Sequence, residues 1–441
     1  MRLRDRVVKG GGATHEFPVE VTWERISGHL RRIGVTRLAD LTGLDRLGIP
    51  VYNAISPRSN DIISVYNGKG VTPLAARTSA AMEAVERFSA WLPVRPAAVA
   101  SYAELAAADR PVLDPREHSF AVVPGYRDDG PISWVEGWDL LSECTVLVPH
   151  DAAVYQRRPH EQTPYPMTTT NGLASGNSLE EAICHALCEL VERDAMTLAE
   201  LISHRLSQSL VRTAEARGTT VDVTPLAMRH PRVDLAATPP GVQAVADRFH
   251  QAGLEVRLIR LTSDLGVPTY FATNTEDFGP TMSTNFSGIG THPNAEVAMM
   301  RAITECAQGR AVDIQAMRED LVMPTDPGGF GRPHERSVML NRHAWIWQDH
   351  GDPADGGADE SFRGDDVMAD LRFILDRLRA AGIRRAIAVD LSPPGIPVKV
   401  VRMIVPGLES WAIDRSKIGA RATAAWNAAL REVRRESVTA G

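Results

Sequence analysis

Cysteine is scarce in this chain: four in 441 residues. That number cannot cross-link a protein of this length, so Cys144, Cys184, Cys188 and Cys306 read as reduced residues of a cytoplasmic protein. No apolar run reaches the ~18 residues that a membrane-spanning helix needs. The start, Met1-Arg2-Leu3-Arg4-Asp5-Arg6, carries charges with no apolar stretch behind them, and no secretory signal is expected. Positive charge is also short. The net charge of -7 argues against a general nucleic-acid binder. Two nucleotide signatures are missing: there is no G-x-x-x-x-G-K-S/T phosphate loop and no G-x-G-x-x-G dinucleotide turn. What remains, 44% apolar and 23% charged, is the composition of a soluble globular protein with one large domain or two ordinary ones.

One phrase is present three times. A-x-x-x-A-x-x-E-x-x-E/Q occurs at Ala76, Ala80, Glu83, Glu86; at Ala182, Ala186, Glu189, Glu192; and at Ala298, Ala302, Glu305, Gln308. Each copy puts small residues and two acidic or amide side chains on one helical face. The copies lie too far apart for a solenoid, so they read as separate pieces of one fold converging on a shared site. The predicted helices run from about Pro73 to Trp91, Leu179 to Ser203 and Ala295 to Arg310. Thr72 before Pro73, Ser178 with Glu181 as a capping box, and Asn294 supply their starts.

The helix faces carry the chemistry. Ser79, Glu83, Glu86 and Arg87 share one face. Glu181, His185, Glu189, Glu192 and Arg193 repeat the spacing, as do Arg301, Glu305 and Gln308. The other positions are mostly apolar, so these helices are expected to be buried. Unpaired carboxylates facing one another must stay protonated or meet cations. Mg²⁺ takes oxygen ligands and bridges carboxylates to phosphates, and Arg87, Arg193 and Arg301 can pair with glutamates or phosphate oxygens. Glycine pairs stand upstream of each helix: Gly68 and Gly70, Gly172 and Gly176, Gly288 and Gly290. Glycines there let backbone N–H groups approach a phosphate, and Lys69 adds charge. A single helix of this kind would be an ordinary solvated face; three in register favour a ligand site. Glu180 reads as a solvated first-turn charge. Cys184, His185 and Cys188 have a spacing zinc can use, but cysteines amid Ala, Leu and Ile read as small core residues.

Elsewhere the pattern is coarser. Residues 8–14 (VKGGGAT) are Gly-rich and expected to be mobile, and an amphipathic pattern from Trp23 to Leu44 predicts one or two helices. Strand-like runs stand at 48–56, 62–67, 255–264 and 268–276. Residues 205–240 read as an irregular connection, and 349–366 as an acidic surface loop. A helix near 365–381, two strands in RRAIAVDLS and PVKVVRMIV, and a helix from Ala420 to Arg435 close the chain.

TTNGLASGNSLEEAICHALCELVERDA at 169–195, with NGKGVTPLAARTSAAMEAVER at 67–87, resembles the YcaO family. Arg301-x-x-x-Glu305 matches the family's last ATP-site segment, and the likeness spans roughly 40–415. The resemblance implies an α+β fold in which mixed β-sheets support three ATP-site helices. It implies an N-terminal segment over 1–40, a catalytic domain over 41–415, and a C-terminal helix with a short tail over 416–441. It implies phosphorylation of a peptide backbone amide oxygen by ATP, followed by attack of a nucleophile. Carried over by motif, the cofactor-binding set is Lys69, Ser79, Glu83, Glu86, Arg87, Asn177, Glu181, Glu189, Glu192, Arg193, Arg301 and Glu305. Within it Glu83, Glu86, Glu181, Glu189, Glu192 and Glu305 are the implied Mg²⁺ ligands. Ala174 stands where many relatives carry a small hydroxyl residue. No general base can be named.

Azoline-forming relatives typically end in a Pro-rich tail, whereas this chain ends in REVRRESVTAG with no proline after Pro406, and no fused leader-capture or zinc domain is seen. The segments at 36–57 and 395–411 are similar to the TfuA-associated branch, linked to thioamide formation in substrates that include methyl-coenzyme M reductase. That branch implies a peptide or protein substrate, a sulfide source and a TfuA-type partner; a homodimer fits the family. Cyclodehydration of Cys, Ser or Thr to azolines is the alternative chemistry, and a non-catalytic ATP- or peptide-binding partner the alternative class.

Overall fold

Each repeat helix begins where the sequence supplies a cap. The Thr72 side chain accepts a hydrogen bond from Ala75 N–H ahead of Pro73–Ala90. Ser178 accepts from Glu181 N–H ahead of Leu179–Ala199. Asn294 accepts from Glu296 N–H ahead of Ala295–Ala316. The capping box at Ser178 is half made, because the Glu181 carboxylate turns to other partners. The computed structural model describes residues 1–10, 12, 14–61, 63–155, 162–166, 169–227, 229–276, 285–316, 359–415 and 417–439. Gly11 and Ala13 of the Gly-rich start, Ile62, and residues 349–358 of the expected acidic loop lie outside them.

Three sheets carry the helices. The first is β1 (Arg37–Asp40), β2 (Val51–Ile55) and β3 (Val65–Lys69), in that order. The large sheet has the order β4 (Ala98–Ser101), β5 (Pro131–Asp139), β11 (Ile387–Asp390), β12 (Lys399–Ile404), β7 (Leu173–Gly176), with β6 (Cys144–Pro149) also on β5. The third places β9 (Thr269–Thr275) between β10 (Asn285–Thr291) and β8 (Val256–Arg260). The fold is α+β, as the sequence implied.

Two expectations are corrected. In the predicted 23–44 stretch the α-helix is Val19–Ser27, a single 3-10 turn forms at Thr42–Leu44, and Arg37–Asp40 is a strand. Pairing with β2, Arg37 opposite Ile55, overrides the local helical pattern. The predicted irregular connection at 205–240 opens as helix. The second repeat helix runs on through a π-helical segment, Glu200–Leu206, into Ser207–Ala216. Gly218, with φ of 68°, follows its end, and the prolines that suggested a loop all come later.

Five of the six paired glycines prove to be packing devices against their own helix. A Cβ on Gly68 would sit 2.1 Å from Ala80 N and 2.3 Å from Ala76 O. On Gly290 it would sit 2.2 Å from Ala298 O, and on Gly288 2.4 Å from Ala302 O. On Gly176 it would meet Ala182 N at 2.6 Å. In each repeat a strand therefore lies on the alanines of its helix, backbone on backbone. The two halves of the motif explain each other: glycine on the strand, alanine on the helix.

Apolar packing fixes the other helix faces. The second repeat helix shares a core with Val367–Ala380 and the large sheet, and the third with Pro240–Gln251 and the β8–β10 sheet. Near the end of the third helix Arg310 is fully buried. It donates to both oxygens of Asp45 at 3.0 and 3.1 Å and to Asn274 at 2.7 Å, and pairs with Glu276 at 2.7 Å. Among the described residues no helix is long and apolar enough to cross a membrane. All four cysteines are free, with Cys184, Cys188 and Cys306 buried as core residues.

Candidate functional site

The polar faces of the three helices converge. Lys69 Nζ, from β3, lies 2.5 Å from Glu305 Oε2 on the third helix. Arg193 on the second helix pairs with Glu189 at 3.3 Å and Glu192 at 3.5 Å. Arg87 on the first pairs with Asp61 at 3.4 Å and reaches Glu83 at 3.9 Å. Strand β7 and the residue just before it anchor two of the carboxylates from the backbone. Ser175 N–H donates to Glu86 Oε2 at 2.9 Å, and Gly172 N–H donates to Glu189 Oε2 at 3.1 Å. The neighbour of Ala174 thus donates a backbone N–H to the site's Glu86 carboxylate.

Five carboxylates share this recess: Glu83, Glu86, Glu189, Glu192 and Glu305. The recess is open, since Glu83 and Glu305 still expose 33% and 32% of their side chains. Burial raises the Glu83 pKa, and Glu305 and Glu189 add to the rise against Arg87 and Lys69. Burial, then Glu83 and Glu189, holds Glu86 well above the usual carboxylate range. Glu192 is pushed up to about 7 by burial first and by Glu305 and Glu189 second. Burial works against the charge on Arg193, yet Glu192, Glu189 and Glu305 outweigh it and keep the guanidinium charged. Carboxylates that cannot comfortably ionise together, at the floor of an open recess, are a donor set for a hard divalent cation.

A second group forms around the start of the second helix. Glu181 accepts hydrogen bonds from Glu16 N–H at 3.1 Å and from Asn177 Nδ2 at 3.2 and 3.3 Å, and shares one with His15 Nδ1 at 2.9 Å. Burial opposes its ionisation, but these partners win and lower its pKa. Glu181 therefore stands apart from the raised Glu83, Glu86 and Glu192. His185 stands exposed on the same helix face. Arg301 itself donates to Thr291 O at 3.2 Å. Ser79 is half-buried one turn before Glu83.

Sequence reasoning missed the partners that arrive from afar. His15 and Glu16 reach Glu181 from the N-terminal segment, and Asp61 reaches Arg87 from a turn; no periodicity links such positions. Glu180, expected in solvent, is buried and clamped by Arg4 at 3.0 Å. Lys9 Nζ lies 2.7 Å from the buried Asp370 carboxylate, so the N-terminal segment is tied down on both sides of the site.

Known proteins resemble this chain. Residues 67–409 match the family model described as "YcaO cyclodehydratase, ATP-ad Mg2+-binding". A protein of Methanothermobacter thermautotrophicus is 36% identical over 91% of this chain and 96% of its own length. A protein from the tfuA 3′ region of Rhizobium leguminosarum bv. trifolii is 35% identical over 88% and 87% of the two chains. Among solved structures, YcaO from Methanopyrus kandleri bound with AMPPCP and Mg²⁺ superposes with a TM-score of 0.65 at 24% identity, over 94% of this chain and 98% of that one. A heterocyclase in complex with substrate and cofactor gives a TM-score of 0.71 at 20% identity, this chain covering 54% of it. The chain belongs to the YcaO family, whose defining domain binds ATP and Mg²⁺.

Proposed function

We propose that this protein uses ATP to phosphorylate a backbone amide oxygen of a peptide or protein, and that sulfide then replaces that oxygen to leave a thioamide. The observation that carries the reading is the set of five carboxylates brought from three helices to one open recess, where burial and neighbouring carboxylates raise Glu83, Glu86 and Glu192. Glu83, Glu86, Glu189, Glu192 and Glu305 would hold Mg²⁺. When bound, the cation neutralises charge on the transferring phosphoryl group. Lys69, Arg87 and Arg193 supply fixed positive charge beside it. Ser79, Asn177, Glu181 and Arg301 line the nucleotide side, where the Glu181 oxygens are already engaged by His15, Glu16 and Asn177. An amide oxygen is a poor leaving group; phosphorylation makes it a good one, and most of the protein's share is positioning.

The choice of sulfide draws support from the 35% identical relative in the tfuA 3′ region. A TfuA-type partner and a sulfide source complete the proposal. Azoline formation is the second reading, supported by the word cyclodehydratase in the family description. Mass spectrometry separates them after incubation with Mg²⁺-ATP, sulfide and a candidate peptide. A thioamide exchanges one oxygen for one sulfur; an azoline loses one water. Glu189→Ala is expected to abolish ATP turnover, and normal hydrolysis by that variant would refute the site assignment.

A further inference from the structure

The first and second repeat helices carry the same ion-pair spacing but do not use it alike. Glu189 and Arg193, four residues apart, are hydrogen-bonded at 3.3 Å. Glu83 and Arg87 have the same spacing and order, which on a helix favours a closed pair. They stand 3.9 Å apart, with no hydrogen bond between them among the described residues. The Arg87 guanidinium donates to Asp61 Oδ2 at 3.4 Å instead.

Asp61 is built to compete for it. It comes from the hairpin loop between β2 and β3, which Ser56 N–H closes onto Ser64 O at 2.8 Å. Within the loop the Asp61 N–H donates to Ser59 Oγ at 3.0 Å, and Ser59 shares a hydrogen bond with the Tyr66 hydroxyl at 2.7 Å. Tyr66, on β3, is 2% exposed and packed in the core. The loop is therefore pinned to a buried side chain. The Asp61 side chain is only 4% exposed, and a carboxylate buried that far is strongly destabilising unless a cation is held close to it.

The other claims on Arg87 are few. Tyr155, Glu83, Asp61 and Glu86 act on its charge. Glu86 is already engaged by Ser175 N–H at 2.9 Å. Asp61 and Glu83 are left to divide one guanidinium. Asp61 lies ahead of residues 67–409, the stretch that matches the family.

We propose that Asp61 is a positioning residue of the cation site: it holds Arg87 off Glu83, which leaves the Glu83 carboxylate, 33% exposed, open to Mg²⁺. Without that restraint the guanidinium closes onto Glu83 as Arg193 does onto Glu189, and a cation must compete with a tethered charge. The inference rests on the carboxylates as the Mg²⁺ site, whichever nucleophile follows the activation.

Two measurements test it, and neither needs turnover. In metal-free crystals of Asp61→Ala, Arg87 and Glu83 should close to hydrogen-bond distance; an unchanged gap overturns the inference. Calorimetric binding of AMPPCP across a series of Mg²⁺ concentrations is the second. Asp61→Ala should raise the half-saturating Mg²⁺ concentration about tenfold, and Asp61→Asn, which keeps one acceptor oxygen, by less. In an Arg87→Met background the Asp61 substitutions should change that concentration little, since no guanidinium is left to close. A merely structural role, or the simple loss of a negative charge near the site, would shift both backgrounds equally, and that result overturns the inference. If Asp61→Ala does not fold, Asp61→Asn carries the cycle, and Ser59→Ala, which loosens the loop from Tyr66, should raise the Mg²⁺ requirement in the same direction. A native protein that binds no AMPPCP with Mg²⁺ overturns the site reading on which this one rests.

Discussion

Glutamine at position 192 should make the cation-free protein more stable and deprive it of its response to Mg²⁺. The folded protein holds the Glu192 proton up to about pH 7, whereas the unfolded chain releases it near 4.5. Between those values the folded state binds more protons than the unfolded one, so stability falls as pH rises, and above 7 the full penalty is present. At about 1.4 kcal/mol per unit, the penalty is roughly 3 kcal/mol. Glu192 exposes only 12% of its side chain, so little of that is screened away. Unfolding entropy of about 2.1 cal/mol/K per residue makes this worth roughly 3 °C in a chain of 441 residues. In EDTA at pH 8, Glu192→Gln should therefore melt about 3 °C above the native sequence, and the gap should close at pH 4. With Mg²⁺ and a non-hydrolysable ATP analogue the order reverses. The native protein gains stability, and gains more at pH 8 than at pH 6, because the cation must displace the proton. Scanning fluorimetry across that range is sufficient. Equal melting of the two proteins in EDTA at pH 8, or a Mg²⁺ response of the same size at both pH values, would refute the reasoning.

Other outcomes follow from the frame around the site. Arg310→Met strands Asp45 and Glu276 without their buried partner and should cost about 3–5 kcal/mol, read by denaturant titration. Gly288→Ala should disrupt folding, its Cβ meeting Cys306 N at 2.3 Å, whereas Gly309→Ala, mid-helix with its nearest contact at 3.4 Å, should raise stability by about 0.5–1 kcal/mol in the same titration. His15→Ala removes a partner of Glu181 from 166 residues away; it should weaken binding of an ATP analogue by calorimetry while leaving the melting midpoint nearly fixed.

The repeat helices were legible because their signals are local. Thr72, Ser178 and Asn294 cap within three residues of what they satisfy, and the alanine–glutamate spacing is a helical period. The glycine pairs were visible but their packing was not, because what most of them meet is a helix backbone that only the folded chain brings near. Arg37–Asp40 was lost for the same reason: its strand character lies in β2. Glu180 looks like a solvated charge until Arg4 arrives from 176 residues upstream.

The tie between the N-terminal segment and the far end of the chain has a consequence in time. Lys9 bonds to Gly364 O, 355 residues later, and its ammonium neutralises Asp370 beside it. At about 5–20 residues per second, a ribosome takes roughly 20–70 s to make the second half of that contact. Until then Arg4, Lys9 and His15 have been synthesised but have part of their binding surface missing. The groups that flank the site are thus among the first translated and the last to settle, so the pocket closes only when nearly the whole chain is present.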